Sequence, residues 1–145
     1  MDLKGILHIS GKPGLYRLIA QSRAGVIVEE LSGNKRFPVS AQSNVSSLDD
    51  IAIYTLTEEV PLREVFRTIG KEENAEKTIS HKEPEMALME KFESILPNYD
   101  EDRVYLSDIR KVFQWYNLLV DGGVITPTSL EEEVVKEDPS DEKDA

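Results

Sequence analysis

The chain has no cysteine, two histidines, one tryptophan and no apolar run approaching the length of a bilayer span. Without cysteine there can be no disulfide framework, thiolate nucleophile or Cys-ligated metal. The histidines, His8 and His81, fall in different predicted units and form no His-x-x-x-His pattern, so no metal centre or cofactor is expected. A spanning helix needs roughly 20 apolar residues. The opening MDLKGILHIS lacks the basic and long apolar regions of a signal peptide, which leads to the expectation of a cytoplasmic protein with no membrane partner.

Charge is plentiful but lopsided. The net charge is −11, yet Met1 to Thr57 carries six Lys/Arg against five Asp/Glu. Glu58 to Ile125 carries nine against fifteen, and Thr126 to Ala145 two against eight. Nucleic-acid binding driven by total charge does not fit such a chain, because phosphates demand a basic surface. A local basic patch in the first part stays open.

The first part reads as β structure. Leu3, Gly5, Leu7 and Ile9 alternate with Lys4, Ile6, His8 and Ser10. Gly11-Lys12-Pro13-Gly14 makes a turn, and Leu15 to Ser22, Val26 to Val28 and Lys35 to Ala41 follow as strands. Pro38 predicts an edge or bulged strand. A polar loop over Gln42–Asp50 leads to a fifth strand, Ile51–Leu56. Five short, closely spaced strands predict a small β-barrel of SH3 or Tudor type over residues 1–57. No helix signal interrupts the third and fourth strands, which disfavours an OB-fold.

After Thr57 the period becomes helical. Pro61 opens a helix whose apolar face is Leu62, Val65, Phe66 and Ile69, with Gly70 as its stop. Lys71 to His81 reads as a loop or frayed linker. Ser80 and Glu83 fit a capping box ahead of a second helix with the stripe Met86, Met89, Phe92 and Leu96. Ser107 serves as N-cap for a third, with Ile109, Val112, Phe113, Tyr116, Leu119 and Val120 on one face and Gly122-Gly123 at its end. The fold class is thus α+β: a barrel, a helical unit over 58–125, and an acidic segment over 126–145. That segment is expected to hold one short helical turn around Leu130–Lys136 and disorder beyond.

Catalytic and metal motifs fail on spacing. A phosphate loop built on Gly11-Lys12 needs a glycine where Ile6 stands, and Pro13 follows the lysine. His8 reads as an outward strand residue. A calcium loop starting at Asp100 would need glycine at Tyr105 and glutamate at Lys111. Two features survive as candidate contacts. Lys12, Arg17, Lys35 and Arg36 accompany the aromatics Tyr16, Phe37 and Tyr54 in the first part, although the plainer reading makes the rings core and the cations ordinary surface. Trp115 sits on the flank of the third helix's stripe, either docking within the chain or meeting a partner.

With DLKGILHISGKPGLY, KRFPV, EEVPLREVF and YDEDRVYLSDIRKVFQWYNLL in view, the chain resembles a group of small uncharacterised cytoplasmic proteins of the Bacteroidetes lineage. Members open with a near-identical DLKGIL-ISGKPGLY segment, and the likeness runs from Met1 to about Val124. The resemblance implies an SH3/Tudor-like unit followed by a helical unit. It brings no activity and no functional residues.

Three functions remain in competition. The leading expectation is a non-enzymatic interaction module that binds a protein partner or itself. The alternative is an RNA or single-strand binder, which requires the four cations to converge beside an exposed ring. An enzyme would need a cleft with paired polar groups, and no motif supports one.

Overall fold

In a computed structural model, which describes residues 3–12, 14–31 and 33–130, the alternating segments pair into one antiparallel sheet. Its strands are β1 (Ile6–Ile9), β2 (Tyr16–Ser22), β3 (Gly25–Glu30), β4 (Arg36–Ser40) and β5 (Val45–Ser47), in the order β4-β3-β2-β1-β5. Gly11 and Gly14 turn the chain between β1 and β2 with φ of +86° and +85°, a backbone that favours glycine. Pairing stops at β4 on one side and β5 on the other, so the sheet is not the closed barrel expected. The fifth strand also differs from expectation. It lies within the segment read as a polar loop, because three residues held mainly by backbone pairing to β1 leave little apolar signal.

The segment expected to close the barrel instead forms a separate hairpin, β6 (Ala52–Tyr54) with β7 (Glu59–Pro61). Its turn is organised by Thr55, a buried polar residue. The Thr55 hydroxyl accepts from Glu58 N at 2.9 Å and donates to Glu58 O at 2.5 Å. Leu56 N then donates to Asn98 O and Asp100 N to Tyr54 O, which binds the 98–100 loop against β6.

Cross-strand partners share a face, and the register sorts the sheet into two. Leu7, Ile9, Tyr16, Val28 and Val39 form a small cluster on one face, joined by Leu18, Val26, Phe37 and Val45. Ile6 and His8 point to the other face, where the helices lie over β1. Over β3 and β4 that second face stays open: Ile27 and Arg36 are exposed. Leu3, Ile6, Leu15, Leu31 and Leu48 belong to the large cluster that also contains the helices' apolar residues.

The helices α1 (Leu62–Glu72), α2 (Glu85–Ile95) and α3 (Leu106–Asp121) follow. In α1 the buried residues are Leu62, Val65, Phe66, Ile69 and Gly70. Gly70 does not end the helix; Asn74 and Ala75, both left-handed, do. In α2 the buried stripe is Leu88, Phe92 and Ile95, one step out of phase with the expected one. Pro84 occupies the N-cap, and Ser80 Oγ accepts from Lys82 N (3.1 Å) instead of closing a box with Glu83. Helix α3 starts one residue before Ser107, and Asp108 accepts from the Tyr105 N–H at 3.0 Å.

The α1–α2 connection, expected to fray, is pinned by α3. Tyr116 donates its hydroxyl to Glu76 O (2.7 Å), and burial, then Glu73, pushes that phenol's pKa up to about 12. Asn117 Oδ1 accepts from Thr78 N at 2.8 Å while its amide donates to Ile79 O at 3.2 Å. Arg110 donates to the carbonyl of His81. Beyond α3, Thr126 and Ser129 cap one another reciprocally and residues 127–130 are helical. Leu130 is buried against Gly70. From Glu131 on, the acidic segment and the helical turn expected in it lie outside the described residues.

Two predictions test this packing. Gly122 has an ordinary φ of −85°, but a Cβ there would stand 2.7 Å from Leu31 Cγ. Gly122→Ala should therefore cost about 1–3 kcal/mol in urea unfolding through overpacking alone, and Leu31→Ala should recover part of the loss in the double variant. Asn117→Ala leaves the Thr78 N–H without its acceptor, and should cost about 1–3 kcal/mol. Faster amide exchange at 76–81 is expected alongside; unchanged exchange would mean that the loop is held by something else.

Candidate ligand cleft at the seam of sheet and helices

Where α3 crosses β1 the two halves of the chain leave a cleft of about 320 Å³. Ile51, Ile53, Leu62, Val104 and Val112 supply its apolar walls, and Trp115 its back. Strands β1 and β5 contribute the cross-strand neighbours His8 and Ser46, while Tyr54, Arg103, Asp108 and Lys111 form a polar rim. The volume falls within the range typical of small-ligand and peptide-anchor pockets.

Each rim residue has a structural reason for its position. The hydrogen bonds between 98–100 and β6 carry Arg103 over the Tyr54 ring, its guanidinium carbon 5.0 Å from the centroid. Asp100 pairs with the same guanidinium at 3.5 Å. Tyr54 remains 41% exposed. His8 packs on Trp115 with ring centroids 5.1 Å apart. Burial first, then the nearby Lys111 ammonium, holds the imidazole's pKa below its usual 6.5, so at neutral pH it is an uncharged ring.

The company of His8, Ser46 and Asp108 invites a nucleophilic reading, and the geometry gives it no relay. Among the described residues no side-chain hydrogen bond joins His8 to Ser46, and the Asp108 carboxylate is engaged at the start of α3. A triad needs both of those links. No group of three or more His, Asp or Glu side chains among the described residues could hold a metal ion. The cleft presents an apolar floor, two cations, one carboxylate and an exposed aromatic.

The residues singled out in the sequence separate into three places. Tyr54 and Trp115 line this cleft, Trp115 with only 6% of its surface exposed. Tyr16, also buried, meets Phe37 edge-on at 5.5 Å, and Lys12 lies 5.3 Å over Phe37 at the mouth of the small cluster. Arg17 and Arg36 flank Glu29 in one row across β2–β4, with Arg36 bonded to Glu29 at 3.2 Å. Lys35 is exposed ahead of β4. The cations thus do not gather around an exposed ring. The sequence does not single out His8, Arg103, Asp108 and Lys111 as a group, since His8 meets the other three only through the packing of Trp115 on it. The one local signal was the Arg103-Val104-Tyr105 step just before the helix.

Two family descriptions divide the chain at this seam. Residues 3–48 match a domain of unknown function, DUF5606, and residues 51–119 match another, DUF6852. A solution NMR structure of a protein from Bacteroides vulgatus is 48% identical, covering 85% of this chain and 89% of that one, with a TM-score of 0.72. The chain belongs to the same family. No curated protein matches it. His8 and Ser46 come from the first domain and the remaining cleft residues from the second, so the cleft exists only where both are joined.

The displaced pKa of His8 has a measurable consequence. As pH falls through 6.5 the unfolded chain takes up a proton that folded His8 resists, so stability falls with it. Between about pH 7.5 and about pH 5.5, spanning the ordinary histidine range, His8→Phe should lose less stability than the parent chain. Equal losses would place the imidazole in water rather than against Trp115.

Proposed function

We propose that the protein is a non-enzymatic interaction module, acting in the cytoplasm, whose seam cleft receives a segment of a protein partner or of a second copy. The observation that carries this reading is the cleft itself. It has an apolar floor with Tyr54 and Arg103 stacked at its lip, and its walls come from both family domains. An exposed aromatic beside an arginine is the usual composition of a binding anchor. The N-terminal sheet is best understood as an opened small barrel of the SH3/Tudor type; its five short antiparallel strands around one apolar cluster support that. No helix among the described residues is long and apolar enough to cross a membrane. The nucleic-acid alternative drawn from the sequence asks Lys12, Arg17, Lys35 and Arg36 to converge beside a free ring, and the separation of Lys12, Arg17 and Arg36 from Tyr54 speaks for the protein partner.

Replacing Tyr54 with a photoreactive benzoylphenylalanine and irradiating native lysate, with and without nuclease, tests this. Protein adducts should survive nuclease, and should be reduced when Arg103→Ala is added. Adducts that disappear with nuclease would replace this reading with the nucleic-acid one. No adduct at Tyr54, with adducts instead at a control site such as Gln21, would move the interface off the cleft.

A further inference from the structure

A second concavity, of about 450 Å³, lies away from the seam between the outer face of α2 and the loop that follows it. Its floor is Met86, Met89 and Tyr99, and its rim is Glu85, Glu90, Glu93 and Glu101. Met86 is 74% exposed. Helical spacing puts Met86, Met89, Glu90 and Glu93 on one side. The nearest cation on the helix, Lys91, is turned away and held by Glu72 and Glu73 at 3.1 and 2.9 Å. None of the four rim glutamates has an ion-pair partner among the described residues, and no cation lines the cleft.

Tyr99 adds an independent observation. It is 6% exposed, its ring lies edge-on to Phe92 at 4.9 Å, and its hydroxyl has no hydrogen-bond partner among the described residues. Burial, then Glu101 and Glu93, raises the phenol's pKa. Tyr99 lines the cleft, so its unpaired O–H can donate to an acceptor on a bound segment.

We propose that this methionine-floored cleft binds a basic amphipathic segment of a partner protein, one apolar side chain seated between Met86 and Met89 and flanking lysines or arginines facing the four glutamates. Methionine suits such a role because its flexible, polarizable side chain adapts to different anchors, and an apolar face flanked by charge is how helices dock in grooves. Charge complementarity selects the occupant. Nucleic acid and anionic lipid surfaces are repelled by four carboxylates. A second copy of this chain, with net charge −11, is repelled too. The carboxylates do not group closely enough to hold a metal ion. The proposal uses none of the seam-cleft residues and stands whether or not that cleft is occupied.

The probe is a fluorescein-labelled peptide of about fourteen residues, or about four helical turns, with a leucine stripe and four lysines. A control peptide carries glutamates in place of the lysines. Fluorescence anisotropy with the full chain at low salt should show binding of the first and none of the second. Glu90→Gln with Glu93→Gln should weaken it by roughly threefold to tenfold, the sum of two exposed ion pairs. Met86→Asp removes the apolar anchor while adding a negative charge. It should weaken binding despite that charge, which separates the groove from simple attraction to the acidic segment beyond residue 130. Met86 is so exposed that the variant should fold, as circular dichroism will check; changes in the methionine methyl resonances of the parent chain on titration give the same answer without any substitution. No binding, unchanged affinity in Met86→Asp, or unmoved methionine methyls would each overturn the proposal.

Discussion

The fold depends on one helix having to be buried on two sides. Ile109, Val112, Phe113, Tyr116 and Leu119 turn α3 toward α1 and α2, while Trp115 reaches the sheet at His8. A helix with apolar residues over so wide an arc cannot be satisfied by a single neighbour. The helices alone would leave Trp115 in water. The sheet alone would leave the second face of β1 uncovered, with Ile6 and His8 exposed. Each half supplies the surface that the other lacks, and this explains why Leu3, Ile6, Leu15 and Leu31 share a cluster with α1, α2 and α3.

The polar side chains of α3 complete the arrangement. Tyr116, Asn117 and Arg110 all reach back to backbone groups of the α1–α2 connection. A segment with few apolar anchors is thereby ordered by hydrogen bonds, at positions where leaving a buried group unpaired would cost more than the bond itself yields. At the other end of the helix, Gly122 lets Leu31 come close enough to seal the contact with the sheet. The same crossing leaves a gap beside Trp115, and that gap is the seam cleft.

What could be read from the chain beforehand follows from the range of the forces involved. The first four strands show themselves by alternation in the first, apolar or β-branched runs in the next two and a shared face in the fourth, and α3 by a stripe rich in aromatic residues. β5 is invisible because its three residues are held to β1 chiefly by backbone pairing. The hairpin of β6 and β7 was masked by Glu58–Pro61, which carries the acids and proline of a helix start, while a threonine makes the turn. In α2, Met86-Met89-Phe92-Leu96 and Leu88-Phe92-Ile95 are both sound stripes sharing Phe92; only packing against α1 and α3 chooses the second, and that choice leaves Met86 outside. His8 reads as an outward residue in any local view. It takes a neighbour more than a hundred positions away, Trp115, to cover it in part.

The unclosed sheet has a consequence for how copies of the protein can meet. Two free borders would ordinarily invite strand-by-strand growth into larger assemblies. Here one border is β5, only three residues long and continuing straight into the turn Leu48–Asp50, and the other is β4, with Arg36 exposed and Pro38 in its middle. Proline sits in a strand only where its missing N–H would have faced outward, so a newcomer finds a gap in the row of donors. Both borders are poor templates, so the sheet resists extension by a strand from another copy.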